Sequence, residues 1–200
     1  MQLSTSGLIC AVRPHGETGA VVQLLTREHG MIAGFVAGAR GRQLRPVLIP
    51  GNLVAAEAHW RSEAQLPFIR AELLHSRGAW LGEPLVAAAI VWVTALAAQT
   101  LPDRQPFPAL FDAAAALLDA VCQAPSARGW LPGLLAFETL LLRELGYGTE
   151  TAQADSVELA AQLAAFDALG RRLARYPLAQ RRTGAMGARA LLRDRLAKIG

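Results

Sequence analysis

Lysine is almost missing from this chain: of 20 Lys and Arg positions among 200 residues, only Lys198 is lysine. A phosphate-binding P-loop needs a lysine directly after its glycine loop to reach the nucleotide phosphates. No such loop precedes Lys198, so nucleotide hydrolysis by that route is excluded. Cysteine is as scarce, with Cys10 and Cys122 far apart and each in an apolar setting. They read as two buried thiols, because tetrahedral metal sites and disulfide frameworks need ligands at short, paired spacings. The four histidines, His15, His29, His59 and His75, never pair as H-x-H or H-E-x-x-H, and no G-x-S-x-G elbow is present. The carboxylates are scattered over polar helix positions. The expectation is a protein with no catalytic residues, no metal and no cofactor, hence not an enzyme.

Long hydrophobic runs are missing too. Leu85–Ala98 is broken only by Thr94, but it falls short of the ~20 residues that span a bilayer, so it reads as a core helix and no membrane role is expected. The start, Met1-Gln2-Leu3-Ser4-Thr5, lacks the basic and apolar stretches of a secretory signal, which points to a cytoplasmic protein.

What the chain does have is arginine at both ends. Residues 1–78 hold eight Arg against five acids, residues 79–150 three Arg against seven acids, and residues 151–200 eight Arg and one Lys against four acids. The net charges are +3, −4 and +5, which sum to the +4 of the whole chain. Guanidinium forks bind phosphate bidentately and stack on bases.

Apolar segments between Gly, Pro and charged turns predict strands near Gly7–Arg13, Ala20–Thr26, Met31–Ala39, Leu53–Trp60 and Pro67–Leu74. In the fourth, Val54, Ala56, Ala58 and Trp60 alternate with Leu53, Ala55, Glu57 and His59, giving two faces. Five strands in so short a stretch suit an OB-type barrel, with an SH3-like barrel as the competitor. From Glu83 onward the texture is helical. Helices are predicted over Leu85–Leu101, Pro108–Ala124, Leu131–Leu145 with Gly146 as its cap, Asp155–Tyr176 and Gly184–Ile199. The fold class is therefore α+β: a five-stranded OB-type β-barrel over residues 1–78, followed by an α-helical domain over residues 79–200.

The segment Arg40-Gly41-Arg42-Gln43-Leu44-Arg45-Pro46 is the most basic stretch of the first half. Arg40, Arg42 and Arg45 are the main candidates for phosphate contact, with Arg13 and Arg27 at neighbouring turns extending the surface. Phe35, Phe68 and Trp60 are potential stacking residues, but aromatics at strand positions are more often core. The arginines of Arg171–Arg195 read either as solvated helix faces or as a second basic surface.

Several segments, taken in order, resemble one family. Gly7-Leu8-Ile9 through Arg13-Pro14-His15-Gly16-Glu17 and Val22 through Gly30 resemble the first hairpin of RecO proteins. Gly38-Ala39-Arg40-Gly41-Arg42 and Leu44 through Asn52 resemble the loop that follows. Phe137 through Gly148 is similar to the family's helix ending in E-L-G-[YF]-G. The resemblance implies a recombination mediator in DNA repair that binds single- and double-stranded DNA, anneals strands, assists recombinase loading, and works at the nucleoid. It also implies two partners, RecR and the acidic C-terminal tail of the single-strand binding protein. Many relatives carry a four-cysteine zinc site after the position of Gly148; here Thr149-Glu150-Thr151-Ala152-Gln153 carries no cysteine, so a zinc-less variant is expected. The competing reading is a protein-interaction adaptor whose barrel is structural and has no direct DNA role.

Overall fold

The computed structural model describes residues 2–60, 62, 65–148, 158–179 and 184–199. The first half builds five strands, β1 (Gln2–His15), β2 (Gly19–Thr26), β3 (Gly30–Val36), β4 (Leu53–His59) and β5 (Phe68–His75). Their order, β1-β2-β3-β5-β4, closes on itself. β4 returns antiparallel to β1, from Gln2↔His59 to Leu8↔Leu53, and β3 meets β5 in parallel at the single pair Phe35↔Phe68. This connectivity is that of an OB-type barrel and decides against the SH3-like alternative.

Two strands differ from expectation. β1 starts at Gln2 instead of Gly7, because Ser4, Thr5 and Ser6 pair with Glu57, Ala56 and Ala55, a contact invisible to a local reading of three polar residues. A bulge between Ile9 and Ala11 bends this strand so that it serves both β2 and β4. β3 ends at Val36 instead of Ala39. Beyond it the backbone turns at Gly38, whose φ of 65° suits a residue without Cβ. The arginine segment then winds helically, with Arg45 N–H donating to Gly41 O at 3.0 Å and Leu48 N–H to Leu44 O at 2.9 Å. Ala39 and Leu48 are buried in the barrel's own core, and Leu44 and Val47 pack against it. The segment is thus a plug for one end of the barrel.

The second half forms α1 (Pro84–Thr100), α2 (Pro108–Gln123), α3 (Leu131–Glu144), α4 (Leu159–Arg175) and α5 (Ala185–Leu196). Proline sits in the first turn of α1, α2 and α3, where its missing N–H has no helical partner to lose. Gly146, at φ 81°, caps α3: its N–H reaches Arg143 O, and Tyr147 N–H reaches Leu142 O, both at 2.9 Å. The start of the fourth predicted helix at Asp155, the segment Thr149–Gln153, and Arg181 and Arg182 lie outside the described residues.

α1 is buried nearly all round, as its composition requires: Ala89, Ile90, Trp92 and Leu96 have no exposure. It is the centre of a core that also takes in Leu8, Cys10, Leu25 and Met31 from the outer wall of the barrel. Ile9, Val22, Leu24, Val54 and Ile69 fill the barrel separately. Barrel and helices are thus docked through a shared apolar seam. No described helix is long and apolar enough to cross a membrane.

Candidate nucleic-acid interface

One end of the barrel's outer wall escapes the helices. There, register lines up one residue from each of four strands: Arg13 opposite Val21, Val21 opposite Phe35, and Phe35 opposite Phe68. Arg13 is exposed and Phe68 is 46% exposed, so the row faces water. His15, two residues along β1 from Arg13, joins the same face. Its ring meets Phe35 edge-on at 5.8 Å, and Phe35 meets Phe68 edge-on at 5.6 Å. Gly19 makes room for this row: a Cβ there would lie 2.4 Å from the Phe35 ring.

The arginine plug borders the row. Arg40 N–H donates to Thr18 O at 3.2 Å and its guanidinium to Glu17 O at 3.0 Å, which ties the plug to the β1–β2 turn. Arg40, Arg42 and Arg45 are all exposed. Leu44, between them, lines a groove of about 680 Å³ together with Val36, Trp60, Phe68 and Arg70. The structure therefore brings Arg13, Arg40 and the aromatic row to one end of the barrel, with Arg42 and Arg45 on the same plug. Exposed rings beside guanidinium groups have the components of a single-strand platform, bases on the rings and phosphates on the cations.

Arg27 is placed elsewhere. It follows the far end of β2, and its fork closes on Asp112 of α2 at 3.0 and 3.1 Å. Asp112 raises the guanidinium above its ordinary value, and the ion pair, with side chains 54% and 53% exposed, bridges barrel and helices at the surface. Among the arginines of Arg171–Arg195, Arg193 pairs with Asp167 at 2.8 Å, and Arg189 is buried with Glu138, outside both sequence readings.

Residue-level reading missed the outward pose of His15, Phe35 and Phe68; the signal was the parity they share with Arg13 once the strands are in register. It also missed Asn52, fully buried. Its amide donates to Pro46 O and Val47 O at 3.0 Å each and its Oδ1 accepts from Arg77 N–H at 2.8 Å, holding the plug's base to the barrel. Among the described residues no group of three His, Cys, Asp or Glu could hold a metal ion.

The fold and this site define a protein class: an OB-type barrel docked on a helical domain, with one end of the barrel left open to solvent. Residues 1–77 match the family profile "Recombination protein O N terminal", and residues 83–167 match "Recombination protein O C terminal". The chain is 42% identical over 151 residues to the DNA repair protein RecO of Rhodospirillum centenum, an alignment covering 75% of this chain and 59% of the relative. It is 37% identical over 145 residues to RecO of Dinoroseobacter shibae, covering 72% of this chain and 59% of the relative. It is 38% identical over 153 residues to RecO of Rhodospirillum rubrum, covering 75% and 61%. The chain belongs to the RecO family of DNA repair proteins, and it spans about three fifths of the length of the curated relatives it matches.

Proposed function

We propose that this chain is a DNA-binding recombination mediator that holds single and double strands on the open end of its barrel, anneals strands and assists recombinase loading. Binding and positioning do this work, and no bond is made or broken. The observation that carries the reading is the solvent-facing row of His15, Phe35 and Phe68 beside Arg13 and the Arg40–Arg45 plug. Arg27, clamped to Asp112, contributes through docking of the barrel instead of direct contact. The functional division falls near residue 78, and the setting is the cytoplasm, at the nucleoid.

The test is a titration of a single-stranded oligonucleotide at several salt concentrations. Each phosphate contact contributes ~0.7 to the salt slope on single strands. Arg40→Ala/Arg42→Ala/Arg45→Ala should flatten the slope by up to about 2, with circular dichroism unchanged. The loss should be nearly equal for every base sequence, since phosphate contacts position without specifying. An unchanged slope in a folded variant would refute the role of the plug.

The helical domain supplies partner contacts in this reading, with RecR and with the acidic tail of the single-strand binding protein. A groove of about 340 Å³ between α1 and α5, lined by Leu81, Pro84, Val91, Leu191 and Arg195, supports the second partner. Leu81, Val91 and Leu191 are 37%, 45% and 49% exposed, and Arg195 supplies the cation for a carboxylate. This groove is also what favours the adaptor reading, in which the barrel has no DNA role. Tail-peptide binding that persists in a chain unable to bind DNA would select the adaptor.

A further inference from the structure

A second hollow, of about 300 Å³, lies where the barrel meets the α1–α2 connection, lined by Gln2, Leu3, Glu28, His29, Ile32, Trp60 and Arg104. Its features separate it from an incidental surface dip. The Arg104 guanidinium lies over the Trp60 indole, 5.6 Å from the ring centroid. Arg104 is also the one described non-glycine residue at positive φ, 57°. A side chain in that region costs conformational energy that the surroundings must offset. They do so visibly. Arg104 N–H donates to Met31 O at 2.9 Å, Asp103 bridges to Met31, and Gly30 lets Gln105 approach so closely that a Cβ would lie 2.1 Å from its carbonyl oxygen. These backbone contacts thus hold one exposed arginine over one tryptophan. Trp60 also lines the groove that contains Phe68, so the two hollows share a wall.

We propose that this hollow takes one nucleobase of the single strand that runs along the barrel, an inference that rests on the DNA-binding reading above. Trp60 and Ile32 are 8% and 4% exposed and belong to the barrel core, so the apolar face open to a base is the one that Arg104 covers; pockets of about this size occur preferentially at domain interfaces. Glu28 excludes phosphate from the interior, so the base enters and the backbone stays at the rim. In the free chain the guanidinium covers the indole. On binding it yields that face to the base and moves to the adjoining phosphate, exchanging a cation–π contact for base stacking and a charge-assisted fork. Glu28 accepts hydrogen bonds only, so it favours bases with an exocyclic amine, cytosine, adenine or guanine, over thymine, whose one donor is its ring N3–H.

The test uses the full chain and a thymidine oligonucleotide carrying one central 2-aminopurine, followed by its fluorescence. Binding to the wild type should quench the emission, and Trp60→Leu should abolish the quenching and lower affinity about five-fold or more, the lower end of one stacked base. Arg104→Gly relieves the positive φ, so its thermal midpoint should rise while its salt slope falls by about 0.7, one phosphate contact. A purely structural arginine would not give that opposition. Should Trp60→Leu not fold, Arg104→Gly decides alone. Replacing one thymidine by deoxycytidine should tighten binding to the wild type and not to Glu28→Leu, which has no acceptor. Wild-type binding with unquenched emission, and an Arg104→Gly variant that binds equally well, would overturn the pocket and leave the barrel's DNA binding standing. A wild type that binds no oligonucleotide at low salt would overturn both.

Discussion

Arg77 and Arg189 are both withdrawn from water, at 2% and 4% exposure, yet they meet opposite surroundings. Arg77 sits on the seam between barrel and helices. Its guanidinium donates to Gly51 O and to the Asp119 carboxylate of α2, and the Asp119 side chain is 48% exposed. Arg189 of α5 reaches into the helical interior. It donates to Glu138 Oε2 at 2.8 Å and to Phe166 O at 2.5 Å, and lies 3.5 Å from the Phe166 ring centroid. Glu138 is fully buried and also accepts from Trp92 Nε1 at 2.7 Å. Gly170 faces the pair, where a Cβ would lie 2.2 Å from the guanidinium. Where the acid can reach water, as at the seam, losing the partner is survivable. Where both ions are enclosed, neither can be lost alone. The seam is the compliant junction of this protein and the Arg189 cluster its rigid one.

The largest effect should come from breaking the enclosed pair. Arg189→Ala leaves Glu138 buried without its cation, and a loss of about 3–5 kcal/mol in denaturant unfolding is expected. The double change Arg189→Met/Glu138→Leu should be less destabilised than Arg189→Ala, since it removes both charges and keeps volume. A double variant as unstable as the single one would mean that the pair holds the fold through geometry and not through charge balance. Gly170→Ala should cost about 1–3 kcal/mol by crowding the same guanidinium.

At the seam, Arg77→Ala should cost about 2 kcal/mol, because the Gly51 carbonyl loses a donor and a small void opens. Asp119→Asn should cost less than about 1 kcal/mol, its carboxylate being half in solvent. Equal costs for the two changes would erase the distinction between compliant and rigid junctions.

A pH series sharpens the comparison further. Burial pushes the Glu138 carboxyl above its ordinary value of 4.5, against the pull of Arg189 and the Trp92 N–H. The folded chain therefore keeps that proton longer than the unfolded chain. The associated stability is fully present below the unfolded value and is lost as pH rises through the raised folded value. Glu138→Gln should flatten that decline, whereas Asp119→Asn should leave it in place.

The smallest effect is kinetic. Cys10 lies in the seam, wholly buried, with its thiol pushed up to about 12, so it should resist alkylation in the native state. Cys122 is partly exposed and should label first. Arg77→Ala should speed Cys10 labelling by loosening the seam. If Arg189→Ala speeds it as much, the two junctions open together.

Much of this architecture was legible because it rests on local rules. The parity of Val54, Ala56 and Ala58 announced the barrel-facing side of β4, and all three are buried. Prolines and Gly146 marked helix ends within a residue or two. What escaped depended on distant partners. Gln2–Ser6 becomes strand only because β4 lies beside it. Phe68 faces water because its parity is set by Phe35 on the neighbouring strand β3, 33 residues earlier in sequence. Arg27, Arg77 and Arg189 look like the other arginines in sequence, and only their acids, 85, 42 and 51 positions away, distinguish them. Composition flagged Arg40, Arg42 and Arg45 as a basic loop, yet Leu44 and Leu48 beneath them make it a barrel plug.

β1 carries a consequence in time. Its C-terminal half, Gly7–His15, pairs with the strand made immediately after it. Its N-terminal half, from Gln2, has no partner until His59 has been synthesised. At about 5–20 residues per second, that is a delay of a few seconds on the ribosome. An unpaired strand edge invites association with other chains, and the half that waits is the more polar one, carrying Gln2, Ser4, Thr5 and Ser6 with Leu3 as its single large apolar residue. Leu8, Ile9 and Cys10, which would aggregate if left open, lie in the half that is paired first. The order of polarity along one strand matches the order in which its neighbours are born.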